Sequence, residues 1–412
     1  MQEVSSKYAV GIDIGTTTVR CVVGHIDGTT GVPTIVGVGV APNSGMRKGN
    51  VVTLTGPAQA IDDALGEAER MSGYQVDTAT ISVNGTHILS THADGMIAVG
   101  TVGHEIIEED IMRIEEVATL GKVPANREIL DVIPHAYKLD GQENIKNPVG
   151  MTGTRLEIDA HVVSVLTPNL LNLQKAVETA KVSPRSIIVA GVAAARAVLS
   201  EQQIENGVAL IDIGGATTNV AVYEEGDLQF TAVIPIGGIN ITNDLAIGLK
   251  TDQEIAEKLK IEHASAVSRG NTSGVSLEYN GEIYSFTTMD IDEIVEARLE
   301  EIFEAVNKEL ARAGRAGKLP SGVILTGGTA QLNGITDYAK ESLGLAARVG
   351  VASGFGGIAD GIDKPQFATA VGLMLIDAES DINPKHDGKF GGKKSLMGGV
   401  GALSKLFGRF RT

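Results

Sequence analysis

Two stretches of the chain repeat one pattern of apolar and polar positions. Each begins with an apolar run, at 8–14 and 208–213, and passes through a Gly-containing turn into alternating β-branched residues. The alternation after the turn has the two-residue period of a strand and not the period of a helix. Each copy is therefore predicted to be a strand, a tight turn and a second strand.

The apolar pattern around these copies predicts an α/β protein. The first copy extends into a β-meander over 8–40, and the second strand-turn-strand is followed by a Gly-Gly turn and a helix. Apolar runs and helical stripes predict further helices at 56–71, 169–181, 192–199, 239–249 and 366–376, and further strands at 78–83, 186–191 and 322–325.

Two segments interrupt this pattern and are predicted to be insertions. The segment 85–164 contains one amphipathic helix at 105–120 and strands at 128–133 and 155–163. The segment 251–320 contains a short helix at 252–261, a hairpin within 268–288 and a long helix at 289–313. Neither insertion carries a phosphate-binding pattern.

The chain thus divides into two α/β domains, each with an inserted subdomain. We assign 1–84 and 165–200 to the first domain, which is interrupted by the insertion 85–164. We assign 201–250 and 321–377 to the second domain, which is interrupted by the insertion 251–320. A flexible linker at 378–394 and a terminal helix at 395–412 follow.

Composition and charge narrow the class of protein. A length of 412 residues predicts two or more domains, and a net charge of −17 argues against nucleic acid as a partner. The single cysteine fits a reducing cytosol. The polar N-terminus predicts that there is no signal peptide. The lack of a long apolar run predicts that there is no membrane-spanning helix.

The repeated turn carries the chemistry of a phosphate site. Backbone N–H groups and Thr hydroxyls suit phosphate oxygens, and an adjacent carboxylate suits Mg²⁺ held through water, which assigns the metal to Asp13 and Asp212. One copy alone would favour an ordinary hairpin turn. Two copies with the same core and flanking strands favour a clamp for a nucleoside triphosphate. The sequence patterns of the other phosphate sites, the P-loop and the dinucleotide fingerprint, do not fit.

The last residues predict a membrane anchor. On a helical wheel one arc of about 120° holds the apolar side chains, and Lys405 and Arg409 lie opposite. A basic amphipathic helix with Leu and Phe on its apolar face is typical of an interfacial anchor for anionic lipid. A helix docked on protein is the alternative. The predicted membrane-facing residues are Leu396, Val400, Leu403, Leu406, Phe407 and Phe410.

The order of these elements resembles the superfamily of actin, sugar kinases and DnaK-type chaperones. Within it, nearly the whole chain is similar to the FtsA family of bacterial division proteins. The most specific stretch is 132–137 followed by 145–153, which resembles part of that family's characteristic inserted subdomain. The resemblance implies an actin-like two-domain ATPase fold with a duplicated βαβ core, an inserted subdomain in each half and a C-terminal amphipathic helix.

The resemblance also implies roles for individual residues. Glu257 and Lys260 match residues near the adenine, with a solvated helix face as the alternative. Asn169 and Asp212 are candidate catalytic residues, although no certain general base is evident, so slow ATP hydrolysis is expected. The remaining nucleotide-binding positions are Asp13, Gly15, Thr16, Thr17, Thr18, Gly214, Gly215, Thr217, Gly327 and Gly328.

The function that the resemblance implies is that of an ATP-binding adaptor of cell division. Such a protein self-assembles into filaments on the cytoplasmic face of the membrane at the septum, anchors polymers of FtsZ there and recruits later division proteins. The acidic C-terminal tail of FtsZ is expected at Arg298 and Asn307, and an exposed helix charge is the alternative for Arg298. A small-metabolite kinase, a chaperone-like ATPase and a pilus-assembly protein are the rival functions.

Overall fold

The computed structural model of the protein describes residues 7–27, 31–101, 103–270, 272–357 and 361–382. The predicted terminal helix 395–412 and the linker from residue 383 onwards lie outside this part of the chain. Within it, no helix is both long enough and apolar enough to cross a bilayer.

The first domain is formed by two segments on either side of the first insertion. The segment before it contains β1 (Lys7–Ile14), β2 (Thr18–Ile26), β3 (Pro33–Pro42), β4 (Met46–Arg47), β5 (Asn50–Val51), α1 (Thr55–Ser72) and β6 (Thr78–Val83). The insertion contains β7 (Ile88–Ala98), α2 (Glu108–Thr119), β8 (Arg127–Leu139), β9 (Gln142–Ile145) and β10 (Arg155–Leu166). The segment after it contains α3 (Thr167–Thr179), β11 (Ser183–Val189) and α4 (Ala190–Val198), and α5 (Glu201–Asn206) then leads into the second domain.

The second domain begins with the second strand-turn-strand. Its elements up to the long helix are β12 (Val208–Ile213), β13 (Thr218–Glu224), β14 (Asp227–Ile234), α6 (Gly238–Gly248), α7 (Gln253–His263), β15 (Gly274–Tyr279), β16 (Glu282–Thr287) and α8 (Thr288–Arg312). The remaining elements of the described chain follow in the order β17 (Val323–Thr326), a 3-10 helix (Gly328–Gln331), α9 (Ile335–Leu343), β18 (Ala347–Val349), β19 (Gly356–Gly357), a second 3-10 helix (Pro365–Phe367) and α10 (Ala368–Ile382).

The two domains share one sheet topology, which confirms the predicted duplicated α/β core. The first sheet has the order β11-β6-β1-β2-β3-β19, and the second has the order β14-β13-β12-β17-β18. In each sheet a three-stranded antiparallel meander is joined by a parallel strand on the side of its first strand, β6 beside β1 and β17 beside β12. One buried cluster, mainly of Val, Ile, Leu and Ala, fills the first domain and extends into the second, and another lies within the second domain.

The first insertion has its own sheet, of order β7-β10-β8-β9, with α2 packed on it. Helix α2 is shorter than the predicted 105–120, because Glu105 pairs with Thr152 in an isolated bridge and Asp110 accepts a hydrogen bond from the Ile107 N–H at 3.2 Å. The strands β8 and β10 extend further than predicted. The second insertion contains the predicted hairpin, β15–β16.

The end of the described chain returns to the first domain, which corrects two predictions. Strand β19 pairs with β3, and α10 packs between β1 and α4 at close range. A Cβ added to Gly11 would lie 2.3 Å from the Ala370 carbonyl oxygen, and one added to Gly372 would lie 1.8 Å from that of Ala193. The assignment of all of 321–377 to the second domain is therefore wrong for β19 and α10. Helix α10 also continues into the segment predicted as a linker from 378.

A buried carboxylate fixes the end of α10. Asp377 is 1% exposed, and its carboxylate accepts hydrogen bonds from the Val10 N–H at 2.9 Å and the Thr80 hydroxyl at 2.7 Å. Arg185 lies 3.4 Å from the same carboxylate. Because such a group is costly to bury without partners, these hydrogen bonds hold α10 against β1 and β6 of the first sheet.

Candidate functional site

The two Gly turns have the same local geometry. The Gly15 N–H donates to the Thr18 carbonyl oxygen at 3.1 Å, and the Gly214 N–H donates to that of Thr217 at 2.9 Å. The carboxylates occupy equivalent positions, with Asp13 opposite Arg20 in the first hairpin and Asp212 opposite Asn219 in the second. The sequence repeat is therefore also a structural repeat.

The two turns meet across the cleft between the domains. A Cβ added to Gly215 would lie 2.6 Å from the Thr17 hydroxyl oxygen, so these two turns are in van der Waals contact. At the end of β6, the Asn84 side-chain amide donates to the Thr217 hydroxyl at 3.0 Å. The facing arrangement that the sequence predicted is present.

The carboxylates on the two turns share one electrostatic environment. Burial raises the pKa of Asp212 to about 6, and the nearby Asp13 charge acts in the same direction. Burial also raises the pKa of Asp13, although Arg20 and a hydrogen bond from Ser82 oppose the shift. A cation beside these two buried carboxylates would favour the ionised form of both.

Arg20 supplies one such cation, and the sequence interpretation missed it. Its charge interacts with both Asp13 and Asp212, and its guanidinium carbon lies 5.6 Å from the centre of the Phe367 ring. Its position directly opposite Asp13 in the hairpin was the available signal, because cross-strand partners place their side chains on one face of the sheet.

Gly327 is required by close packing against the second carboxylate. Its φ is +86°, and an added Cβ would lie 2.4 Å from Asp212 Oδ1. No heavy atom lies within 4 Å of a Cβ added to Gly328, so this backbone borders open space, as a ligand-facing glycine does. The Thr329 hydroxyl donates to the Gly214 carbonyl oxygen at 3.2 Å, which joins this loop to the second turn.

The structure places Lys260 and Glu257 beside the second turn. Lys260 Nζ donates to the Gly238 carbonyl oxygen at 3.2 Å, the Thr242 hydroxyl at 2.9 Å and Glu257 Oε2 at 2.6 Å. Gly238 in turn donates its N–H to the Gly214 carbonyl oxygen at 2.9 Å. The Lys260 side chain is only 12% exposed, so a solvated helix face is the wrong description of it.

Two of the predicted residues bond to the β4–β5 hairpin. The Thr16 hydroxyl accepts a hydrogen bond from the Gly49 N–H at 2.9 Å. The Asn169 amide donates to Asn50 Oδ1 at 2.6 Å, so its contact is with this hairpin and not with the carboxylates. A catalytic role for Asn169 stays a prediction.

Arg298 and Asn307 lie on opposite sides of α8. They are nine residues apart in sequence, which corresponds to about two and a half turns of a helix and so places them on opposite sides. Arg298 is held by Asp244 on α6, with distances of 2.6 Å and 3.0 Å to the two carboxylate oxygens, and it also contacts Glu301. Arg298 therefore connects α8 to α6 through an ion pair. It is not the exposed helix charge that was the alternative interpretation of the sequence.

Further polar residues of the site were not evident from the sequence. The Ser82 hydroxyl donates to Asp13 Oδ1 at 3.0 Å and accepts from the Ile14 N–H at 2.8 Å. The Asn219 amide donates to Asp212 Oδ2 at 3.0 Å. Ser82 could be found only from the parallel pairing of β6 with β1, which periodicity alone does not give.

The raised pKa of Asp212 predicts a pH-dependent stability without nucleotide or metal. The folded-state pKa of about 6 exceeds the reference value of 3.8, so ionisation costs up to about 3 kcal/mol as pH rises from about 4 to above 6. In urea unfolding, the free energy of unfolding of Asp212→Asn should increase relative to that of the wild type as the pH rises over this range. Asp337→Asn, at an exposed position of α9, controls for the loss of one charge. A difference that is constant with pH would contradict the assignment.

The comparisons with known proteins agree with this architecture. A family profile described as "Cell division protein FtsA" matches residues 209–372, and one described as "SHS2 domain inserted in FTSA" matches residues 85–164. The chain is 36% identical over 383 residues to cell division protein FtsA of Pseudomonas aeruginosa, covering 92% of this chain and 91% of that protein. It is 37% identical over 374 residues to FtsA of Bacillus subtilis, covering 90% and 83%.

Solved structures of low sequence identity share the fold. A PilM-PilN type IV pilus biogenesis complex matches with a TM-score of 0.66 at 16% identity, covering 90% of this chain and 98% of that chain. MreB5 of Spiroplasma citri bound to ADP matches with a TM-score of 0.52 at 14% identity, covering 91% and 98%. With this actin-like fold and these relatives, the chain belongs to the FtsA family of cell division proteins.

Proposed function

We propose that this protein binds ATP with Mg²⁺, self-assembles on the cytoplasmic face of the membrane at the septum, and anchors polymers of FtsZ there. The observation that carries the proposal is the meeting of two phosphate-type turns from different domains, with Thr17 against Gly215. A ligand bound between such turns contacts both domains, so it fixes their relative position.

The residues around the turns fit Mg²⁺ and a triphosphate. Asp13 and Asp212 supply two carboxylates, and the described residues contain no cluster of three or more His, Cys, Asp or Glu side chains suited to a metal. Mg²⁺ retains several waters and needs few carboxylates, so two suffice. When bound, the ion would neutralise phosphate charge, while the turn N–H groups and the Thr hydroxyls would hold the phosphate oxygens.

The same residues support slow hydrolysis. Of the two candidate catalytic residues, Asp212 is the better placed, because its pKa is raised to about 6 and Asn169 is bonded to Asn50. A carboxylate engaged with Mg²⁺ is a poor proton acceptor, since the bound cation favours its ionised form. Nucleotide therefore acts mainly as a conformational ligand.

Nucleotide binding is tested by Lys260→Met, with Lys258→Met on the same helix as a matched control. Lys260 contacts Gly238 and Thr242 beside the second turn, whereas Lys258 Nζ donates to the Glu278 carbonyl oxygen at the surface. We expect the Kd for ATP, measured by calorimetry with Mg²⁺, to rise about tenfold or more in Lys260→Met, the equivalent of one lost charged contact. The control should bind as the wild type does. Equal affinities of the two variants would contradict the adenosine-side assignment.

Assembly on a membrane is supported by the family and by the terminal sequence. MamK, which shares the fold at a TM-score of 0.50 and 11% identity, was solved as a double helical filament. The segment 395–412 carries Lys405, Arg409 and Arg411 beside its Leu and Phe residues and has no acidic residue. This composition suits an anionic lipid surface.

Deletion of 395–412 should abolish co-sedimentation with vesicles that contain anionic lipid, because the remaining chain is strongly acidic. The Kd for ATP should not change, since all residues of the cleft are retained. Replacing Lys405 and Arg409 by Gln should lower binding to anionic vesicles more than binding to neutral ones. Undiminished co-sedimentation of the truncated protein would exclude this anchor.

The FtsZ tail is proposed to bind at the α6–α8 surface around Arg298. Asn307 lies among the exposed acidic residues Glu293, Glu296, Glu300 and Glu304 on the opposite side of α8, where an acidic peptide is repelled. Any acidic peptide at Arg298 has to compete with Asp244 for the guanidinium. Arg298 is therefore the stronger of the two predicted contacts.

The two possible roles of Arg298 are separated by comparing Arg298→Ala with Asp244→Ala. If Arg298 binds the tail, its removal weakens binding, and removal of Asp244 strengthens it by releasing the guanidinium. If the ion pair only braces α6 against α8, both variants weaken binding to a similar degree. The measurement is the Kd for a fluorescent FtsZ-tail peptide, with Asn307→Ala as the control from the opposite side of α8.

A further inference from the structure

The inserted sheet of the first domain is attached at its base close to the cleft. Arg127, at the start of β8, donates to the His87 carbonyl oxygen at 2.5 Å and to the hydroxyl and carbonyl oxygens of Ser164, each at 3.0 Å. His87 lies three residues after Asn84, whose side chain reaches Thr217 of the second turn. The base of the insertion at His87 is thus three residues from Asn84, whose hydrogen bond to Thr217 crosses the cleft.

The side of the same sheet contacts the second domain. His135 Nε2 lies 3.0 Å from the Leu228 carbonyl oxygen, and the Thr231 N–H donates to the Ser90 hydroxyl at 3.2 Å. Lys146 Nζ donates to Asp227 Oδ2 at 2.8 Å and to the Glu225 carbonyl oxygen at 3.2 Å. All of the second-domain partners lie on β14 or in the turn before it.

Hydrophobic burial supports these polar contacts. Ile133 and Val163 of the inserted sheet belong to one buried cluster with Tyr223 and Leu228 of the second domain. Each of these four side chains is at most 5% exposed. Opening this contact would return apolar area to water at about 25 cal/mol per Å², so the sheet and the second domain favour moving together.

Strand β14 leads directly to the second phosphate turn. It pairs with β13 along its length, and β13 begins at that turn. Beyond β14, the Ile236 carbonyl oxygen accepts from the Thr218 hydroxyl at 2.9 Å, and the Gly238 N–H donates to the Gly214 carbonyl oxygen at 2.9 Å. One end of the β13–β14 hairpin therefore holds the inserted sheet, and the other end holds the phosphate turn.

We propose that the inserted sheet is a strap between the two domains, whose position is set by the closure of the cleft. It is covalently part of the first domain and is bonded to the second through Lys146–Asp227, His135–Leu228 and Ser90–Thr231. When the second domain rotates about the cleft, β14 moves with the second turn, and the sheet either follows or loses these contacts. The nucleotide-dependent part of this proposal rests on the ATP binding proposed above.

The strap is tested with spin labels on Glu116→Cys of α2 and Lys340→Cys of α9. Both positions are exposed, and Cys21 is buried. Double electron–electron resonance would measure the distance between them in full-length protein. Lys146→Asp removes the strap's ion pair and places like charges together, while Lys138→Asp is the matched control, because Lys138 pairs with Glu143 inside the insertion at a similar exposure.

Without nucleotide, Lys146→Asp should shift and broaden the distance distribution, and the charge swap with Asp227→Lys should restore it. Lys138→Asp should leave it as in the wild type. With ATP and Mg²⁺, the wild-type distance should shift, and the shift should be reduced in Lys146→Asp. Equal distributions for Lys146→Asp and the wild type would overturn the strap, as would equal changes in both Lys variants. Failure of the wild type to bind ATP by calorimetry would instead overturn the proposed function, while the nucleotide-free comparison would still decide the strap.

Discussion

The rest of the structure depends on the approach of two carboxylates from two domains. Asp13 and Asp212 lie on equivalent turns, and Arg20 interacts with both. Two ionised carboxylates are costly to bury side by side, so a cation favours the ionised form of both where the turns meet. Arg20 supplies part of that charge, and a metal-bound triphosphate would add ion and ligand at the same point. With the ATP binding proposed above, nucleotide and its metal ion would favour closure of the two domains.

The packing that positions the first carboxylate reaches to the end of the described chain. Strand β1 carries Asp13 at one end and contacts α10 through Gly11. Asp377 of α10 accepts a hydrogen bond from Val10 on the same strand. Because α10 is the last described element, the strand that bears the first turn is in contact with the helix that precedes the proposed linker. The proposed nucleotide site and the proposed membrane anchor are thus connected through one domain.

The elements with strong local patterns could be predicted from the sequence, and so could the repeated turn. The strand-turn-strand units, the hairpin β15–β16 and helix α8 are present as expected. Contacts between residues far apart in the chain could not be predicted. Asp377 lies at the border between the predicted helix and the predicted linker, and its partners Val10 and Thr80 explain its burial. Arg298 was located on the correct helix, but its pairing with Asp244 depends on how α6 packs on α8.

In the proposed mechanism, closure of the cleft by nucleotide produces a form of the protein that assembles on membranes. The most direct measurement is electron microscopy of the full-length protein on vesicles containing anionic lipid, with and without ATP and Mg²⁺. We expect membrane-attached filaments that require ATP. Protein that binds ATP but stays unassembled on the vesicles, or that assembles equally well without nucleotide, would contradict this mechanism.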